Sequence, residues 1–215
     1  MRSISVDCLG DSITASIVSP SYPRLLKEMF TEAGLESVQV NNRGKNGFTV
    51  ADFLEFFQNS KQENSSEADF YLILLGSNDT RSTVQTSLQD YEKTYRRMIQ
   101  EVQRHASDHH YETEILLGKL PPYYGPVTIL WQGEKHTFDA AQRISDELNP
   151  CIEKIAADFN LRVVDLYSPM SQMGTSVYQD GIHPNKRGNG ILARIWFESL
   201  LPLVRKSLEG KSADS

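Results

Sequence analysis

A serine, a histidine and an aspartate stand in this sequence where they could act together on a carbonyl carbon. Ser12 lies in the run Gly-Asp-Ser-Ile-Thr, and Asp180 and His183 lie in the run Asp-Gly-Ile-His-Pro-Asn. A serine hydroxyl is a weak nucleophile until a base takes its proton, and an acceptor must hold that base in the right tautomer. Asp and His three residues apart can meet if the chain turns between them, which Gly181 permits. These residues are therefore candidates for nucleophilic acyl transfer.

Two more runs offer hydrogen-bond donors for an oxygen that becomes negatively charged during such a reaction. Gly47, in Asn-Arg-Gly-Lys-Asn-Gly-Phe-Thr, has no side chain to keep a ligand from its backbone N–H. Asn78, in Gly-Ser-Asn-Asp, can donate from its side-chain amide. Each run taken alone is also explained as an ordinary turn or helix cap. The ordered set favours catalysis, because acyl transfer needs such donors beside an activated serine.

Short apolar runs that alternate with helical patterns must position these residues. Such alternation is typical of a domain built on a parallel sheet. In open sheets of this kind, ligands bind at the carboxyl ends of the strands, and three of the four runs directly follow a predicted strand. The strands are predicted over Ile4–Leu9, Ser37–Asn41, Phe70–Leu75, Glu114–Leu117 and Val163–Leu166.

Apolar residues at helical spacing predict the intervening helices. One helix has Pro23 in its first turn and stops at Gly34, and another is predicted to be kinked or divided near Asn149 by Pro150. The other helical patterns cover Val50–Phe57, Thr83 to about His105, and a last helix that carries Ile191 to Leu200.

The length of 215 residues suits a single domain with its own hydrophobic core. We expect that domain over 1–209, followed by a frayed polar tail over 210–215. An insertion over 121–138 is expected to form a small hairpin near the active site.

The same insertion carries Tyr123, Tyr124 and Trp131, which are candidates for binding the acyl or sugar part of a substrate. Packing within the insertion, or at a dimer interface, explains these aromatic residues equally well.

Composition indicates which kinds of binding partner and which cellular compartment to expect. A net charge of −6 and a hydrophobic fraction of 39% are ordinary for a globular domain and give no reason to expect nucleic-acid binding. No apolar run reaches the roughly 18 to 20 residues that span a bilayer, and the N-terminus is too polar for a signal peptide. We therefore expect a cytoplasmic protein without membrane insertion, in which Cys8 and Cys151 stay thiols.

The four runs, in this order, resemble the signature blocks of the SGNH hydrolase superfamily, which contains the GDSL-type esterases and lipases. The resemblance covers the whole domain, and its one mild departure is Ile13, where many members have Leu. It implies a flavodoxin-like three-layer α/β/α sandwich with a five-stranded parallel sheet of order 2-1-3-4-5.

The resemblance also implies a role for each residue. Ser12 would be the nucleophile, His183 the general base and Asp180 the residue that orients the base. The oxyanion hole would be formed by the Ser12 and Gly47 N–H groups and the Asn78 amide.

The implied activity is a serine esterase acting on short acyl esters, with acetyl esters of carbohydrates as the expected class. No cofactor and no metal are expected, and the expected partner is the small-molecule ester; a homo-oligomer is compatible with the sequence. A lysophospholipase or acyl-thioesterase would use the same machinery. A non-catalytic carbohydrate-binding or interaction module on the same fold is the alternative outside the enzymes.

Overall fold

Strands of two sheets organise the chain, whose computed structural model describes residues 3–59, 67–131 and 133–213. The strands are β1 (Ile4–Gly10), β2 (Val38–Asn42), β3 (Phe70–Leu74), β4 (Glu114–Gly118), β5 (Val127–Trp131), β6 (Glu134–Phe138) and β7 (Arg162–Val164). Five of these described strands form a parallel sheet in the order β2-β1-β3-β4-β7, while β5 and β6 pair as an antiparallel hairpin. The order confirms the predicted arrangement, with β7 as the fifth strand of the main sheet.

The middle of the sheet is its most apolar part. Every residue of β3 is buried, as expected for a parallel strand that is covered on both faces. The strand registers with β1 on one side, where Cys8 pairs with Leu72, and with β4 on the other, where Leu72 pairs with Leu116. Cys8 and Cys151 are both buried free thiols.

Helices cover both faces of this sheet and complete a three-layer α/β/α sandwich. They are α1 (Ser12–Ala15), α2 (Tyr22–Glu32), α3 (Val50–Asn59), α4 (Leu88–Asp108), α5 (Asn149–Asp158), α6 (Tyr167–Met173) and α7 (Lys186–Ala213). Helices α2 and α7 pack together, and α4 packs against α3 and α5. Along the described stretches of the chain, no helix is long and apolar enough to cross a bilayer.

Two helix boundaries show how local chemistry modifies a periodic pattern. Helix α4 begins at Leu88 rather than near Thr83, because the Ser87 side chain caps it by accepting a hydrogen bond from the Asp90 N–H at 3.1 Å. Near Asn149 the helix is interrupted in type but not divided, since a π-helical turn over Ile144–Leu148 continues directly into α5.

The last helix is longer than its sequence suggests. A frayed tail is expected from Gly210, yet α7 continues to Ala213. A glycine inside a helix costs only about 1 kcal/mol, so the backbone hydrogen bonds can continue through it.

The 121–138 insertion contains the hairpin of β5 and β6. It joins the body of the domain where the Ser82 N–H donates to the Thr137 carbonyl at 2.9 Å, beside a bridge between Arg81 and Phe138. The hairpin therefore lies next to the loop that follows β3.

The central strand should dominate stability. Leu72 is fully buried, so we expect Leu72→Ala to lower the free energy of unfolding by about 2–5 kcal/mol in urea titrations. Leu88→Ala is the matched control, because Leu88 is 40% exposed and should cost much less. Equal losses in both variants would contradict this view of the core.

Candidate active site

The structure brings Ser12, His183 and Asp180 together at the carboxyl edge of the sheet. His183 Nε2 lies 2.9 Å from Ser12 Oγ, and His183 Nδ1 lies 2.7 Å from Asp180 Oδ2. Because Asp180 accepts from Nδ1–H, the tautomer leaves Nε2 free to accept the serine proton. This is the geometry that an activated serine requires.

Local chain geometry explains how each residue reaches this position. Ser12 is the first residue of α1, directly after β1, and the preceding Asp11 caps that helix by accepting the Ile13 N–H at 2.9 Å. Gly181 has a φ of +92°, and a Cβ there would lie 2.6 Å from the Tyr124 carbonyl oxygen. Only glycine fits this turn, which folds His183 back onto Asp180.

Asp180 is held as an anion beside the histidine. Burial opposes its ionisation, but a hydrogen bond from the His183 ring and the backbone N–H groups of Ile182 and His183 outweigh burial and lower the pKa of Asp180 to about 2. Asp180 therefore stays charged at neutral pH and stabilises an imidazolium that forms beside it.

Gly47 and Asn78 line the same cavity as Ser12. The Asn78 amide donates one hydrogen to the Phe48 carbonyl at 3.0 Å, which fixes its orientation and leaves its second hydrogen available for a ligand. Gly47 has a φ of +77°, and a Cβ there would lie 2.5 Å from the Trp131 ring. The structure thus accommodates only glycine at the position whose N–H is a candidate oxyanion donor.

These groups open into one cavity of about 220 Å³. Ser12 and His183 line it together with the candidate oxyanion donors, and the β5–β6 hairpin contributes five of its lining residues. The lining residues are Ser12, Ile17, Asn46, Gly47, Asn78, Arg81, Ile129, Leu130, Trp131, His136, Phe138 and His183.

Comparison with known families agrees with this geometry. The GDSL-like lipase/acylhydrolase family matches residues 8–191. The chain belongs to this family. It is accordingly a carboxylic ester hydrolase, a GDSL-family esterase.

Individual relatives of this GDSL-family esterase are distant. An acetylxylan esterase from Xylanibacter ruminicola is 38% identical over 52 residues, which cover 24% of this chain and only 11% of that longer protein. A lipase/acylhydrolase from Enterococcus faecalis has a similar fold, with a TM-score of 0.74 and 24% identity, over 92% of this chain and 95% of that one. Est24, a carbohydrate acetylesterase from Sinorhizobium meliloti, aligns with a TM-score of 0.73 and 19% identity, over 93% and 99% of the two chains.

Of the three aromatic residues that the sequence offers for substrate binding, the structure brings only Trp131 to the cavity. Tyr123 is 4% exposed, packs edge-on against Phe138 and has its hydroxyl 3.2 Å from the Thr80 hydroxyl. Tyr124 packs against Tyr178 instead. Both tyrosines anchor the start of the insertion, because the Tyr123 hydroxyl and the Tyr124 ring find partners in the body of the domain.

Sequence reasoning missed several cavity residues of the esterase, above all Arg81 and His136. Alternation along β6 puts His136 and Phe138 on one face of the hairpin, which is a signal that the sequence does contain. Arg81 carries no such signal, since its place depends on the contact between its loop and β6.

Two carboxyl groups next to the site are buried at a cost to stability. Asp11 is 1% exposed; burial raises its pKa to about 7, although the Ile13 N–H partly offsets this effect. Burial also raises the pKa of Asp79 to about 6, against hydrogen bonds from the Val50 N–H at 3.1 Å and the Thr86 hydroxyl at 2.9 Å. Both groups shape the loops that present Ser12 and Asn78.

Asp11 should make stability fall as pH rises. In the unfolded chain an aspartate loses its proton near pH 3.9, whereas folded Asp11 keeps it until about pH 7. Between these values the folded state holds a proton that the unfolded state has released. The loss of folding stability that Asp11 causes therefore grows as pH rises and reaches its full size above pH 7. We expect Asp11→Asn to raise the unfolding free energy above that of wild type at pH 8. This gain over wild type should be larger at pH 8 than at pH 4, by on the order of 1 kcal/mol or more.

Urea titrations at the two pH values measure this difference. Asp139→Asn is the matched control, because Asp139 is exposed and should show no such gain. A pH-independent effect of Asp11→Asn would show that the buried carboxyl does not carry this cost.

Proposed function

We propose that this GDSL-family esterase hydrolyses short acyl esters through a Ser12–His183–Asp180 triad and an acyl-enzyme. The observation that carries the proposal is the 2.9 Å contact between Ser12 Oγ and His183 Nε2, in line with the 2.7 Å contact from His183 to Asp180. A serine with a free, correctly oriented base beside it is a nucleophile for ester carbonyls.

In the acylation half, Ser12 Oγ attacks the ester carbonyl carbon while His183 Nε2 takes the serine proton. The carbonyl oxygen becomes an oxyanion and accepts hydrogen bonds from the Ser12 and Gly47 N–H groups and the Asn78 amide. The bond from carbon to the alcohol oxygen then breaks, and the imidazolium of His183 gives its proton to the departing alcohol.

In the deacylation half, water replaces the alcohol. His183 takes a proton from the water as its oxygen attacks the acyl carbon, and the same three donors hold the second oxyanion. The bond to Ser12 Oγ breaks, Oγ regains the proton from His183, and the acid leaves. Because serine, imidazole and backbone donors supply every step, this mechanism needs no metal or organic cofactor.

Acetyl and other short acyl groups, carried on carbohydrates, are the substrates that we assign to this site. The cavity of about 220 Å³ lies below the roughly 300–1,000 Å³ of common ligand pockets, and the Trp131 ring, which lies against Gly47, narrows it. An aromatic wall beside polar groups also suits a sugar ring. The names of relatives support the same class, since they include an acetylxylan esterase and a carbohydrate acetylesterase.

A chain-length series tests this proposal. Wild type should hydrolyse p-nitrophenyl acetate and butyrate with a higher kcat/KM than the octanoate, because the small cavity cannot enclose the longer chain. Ser12→Ala should abolish turnover, whereas Ser3→Ala, at an exposed position, should not change it. Activity that survives Ser12→Ala would contradict the mechanism, and a preference for octanoate would indicate a lipid-type substrate instead.

Removal of one oxyanion donor should act mainly on kcat. We expect Asn78→Ala to lower kcat by about 10²–10³, the usual loss for one such donor, with a much smaller change in KM. Asn59→Ala, at an exposed position on α3, is the matched control. Thermal melting checks that Asn78→Ala is folded, and an unchanged kcat in the folded variant would remove Asn78 from the oxyanion hole.

A further inference from the structure

Arg81 is a buried cation inside the substrate cavity. It directly follows the 3₁₀ turn that presents Asn78, and it lines the same cavity as Ser12 and His183. The residue is only 9% exposed, so water solvates its charge poorly. A guanidinium with this little solvent normally lies against a carboxylate or phosphate, because an unpaired buried charge is costly.

Arg81 makes no ion-pair contact with a carboxylate within the described parts of the chain, although its charge acts through space on the nearby Asp79 and lowers the pKa of that carboxyl. None of the ion pairs there includes it, and its buried Nε–H makes no hydrogen bond. The nearby Asp79 directs its two carboxyl oxygens to the Val50 N–H and the Thr86 hydroxyl. The guanidinium thus keeps unused donors at a site where donors are rarely left unpaired.

The one side-chain hydrogen bond that Arg81 makes among the described residues also determines which nitrogen of His136 can donate. Arg81 Nη1 lies 3.2 Å from His136 Nδ1. A guanidinium can only donate, so His136 Nδ1 must accept, and the ring proton is on Nε2. His136 also lines the cavity and lies beside the Trp131 ring, with 5.7 Å between ring centroids. Arg81 and His136, which we call the Arg81 subsite, therefore offer donors and no acceptor.

The rest of the cavity does not neutralise this charge. Among the described residues that line it, none is acidic and Arg81 is the one with a permanent charge. This contrasts with the whole chain, whose net charge is −6. An anionic ligand group would meet a complementary charge here, and a planar carboxylate would match the forked donors of the guanidinium.

A purely structural role does not account for these features. The loop and the hairpin are already joined by the backbone, through the Ser82 N–H, the Thr137 carbonyl and the bridge between Arg81 and Phe138. The guanidinium adds to this junction only its hydrogen bond to the half-buried His136. A neutral side chain could fill the same space without the cost of a buried charge.

We propose that the Arg81 subsite binds a carboxylate carried by the ester substrate, and so selects anionic esters over neutral ones. This inference rests on the proposed function, because it places the carboxylate beside an ester that Ser12 attacks. The carboxylate can belong to the alcohol part, as on an acidic sugar, or to the acyl part, as in a half-ester of a dicarboxylic acid. In both cases the substrate has an anionic group close enough to the scissile ester bond for the two to occupy the same cavity.

Two pairs of esters distinguish these sources. For the alcohol part, 3-acetoxybenzoate is compared with 3-acetoxybenzamide; for the acyl part, monoethyl succinate is compared with ethyl succinamate. Each pair differs by a carboxylate in place of an amide of similar shape. We expect wild type to favour the carboxylate member of one pair by at least about tenfold in kcat/KM, an advantage that weakens as salt screens the charge.

Substitutions at Arg81 should remove this preference. We expect Arg81→Met to lower the ratio of anionic to neutral kcat/KM by about 10- to 100-fold, and Arg81→Lys to retain part of it, because the charge remains and the fork is lost. Arg187→Met is the matched control at an exposed position and should leave the ratio unchanged. A structural role alone would lower the melting temperature and scale both members of a pair equally, and that result would overturn the proposal.

Equilibrium binding tests the subsite without turnover. Calorimetric titration of the wild-type protein with the product analogue 3-hydroxybenzoate should show binding at least tenfold tighter than that of 3-hydroxybenzamide. Monoethyl succinate and ethyl succinamate serve in the same way with Ser12→Ala. Equal affinities of the charged and neutral members in both arms would refute the subsite even if ester hydrolysis is confirmed. Conversely, selective carboxylate binding without Ser12-dependent hydrolysis would reject the proposed function and leave the subsite standing.

Discussion

The hydrogen bond between His183 and Ser12 joins residues that are 171 positions apart. Only the packing of the intervening fold holds these two residues in contact. Ser12 follows the first strand of the sheet, whereas His183 precedes the last helix. The two halves are held where α2 packs against α7, with Phe30 and Phe197 edge to face at 5.1 Å. The proposed triad therefore depends on long-range packing of the core, and it cannot form in either half of the chain alone.

Much of the site could be predicted because its parts are local. The serine, the oxyanion donors and the Asp–His pair each lie in a short run next to an element end, and parallel strands bring those ends to one edge. The local patterns predicted the strands, and the order of the sheet followed from the resemblance to SGNH hydrolases. The residues that shape the cavity could not be predicted, because they belong to contacts between distant segments. Arg81 meets Phe138 across such a contact, and Tyr123 turned out to face the core because Thr80 offers its hydroxyl a partner.

Local hydrogen bonding also explains why the apolar periodicity predicted the wrong start for helix α4. The apolar pattern extends N-terminal to Leu88, but Ser87 can satisfy the exposed N–H groups of a helix start and so begins α4 later. In the same loop, Thr86 donates to Asp79, which makes the non-helical conformation useful to the site. Such side-chain hydrogen bonds compete with helix formation at energies that a pattern of apolar residues does not reveal.

The site is held by groups that the fold would be more stable without. Asp11 and Asp79 are buried carboxyls that support the Ser12 and Asn78 loops, and Arg81 is a buried cation that makes no ion-pair contact among the described residues and acts on Asp79 only through space. Buried polar groups of this kind are tolerated where the neighbouring apolar core is stable. Here the fully buried strand β3 leads directly into the turn that carries Asp79 and Arg81. The stability of the sheet thus offsets the cost of the buried polar groups at its edge.

The hairpin of β5 and β6 is set apart from this framework. Its two strands hydrogen-bond to each other rather than to the main sheet, and it supplies Ile129, Trp131 and His136 to the cavity. The proposed nucleophile, base and oxyanion donors all come from other loops, and Arg81 directly follows the turn that carries Asn78. Much of the cavity lining is thus encoded apart from the proposed reacting groups, so the residues between 127 and 138 can change in evolution, or be exchanged by design, to admit a new ester while those groups and Arg81 stay in place.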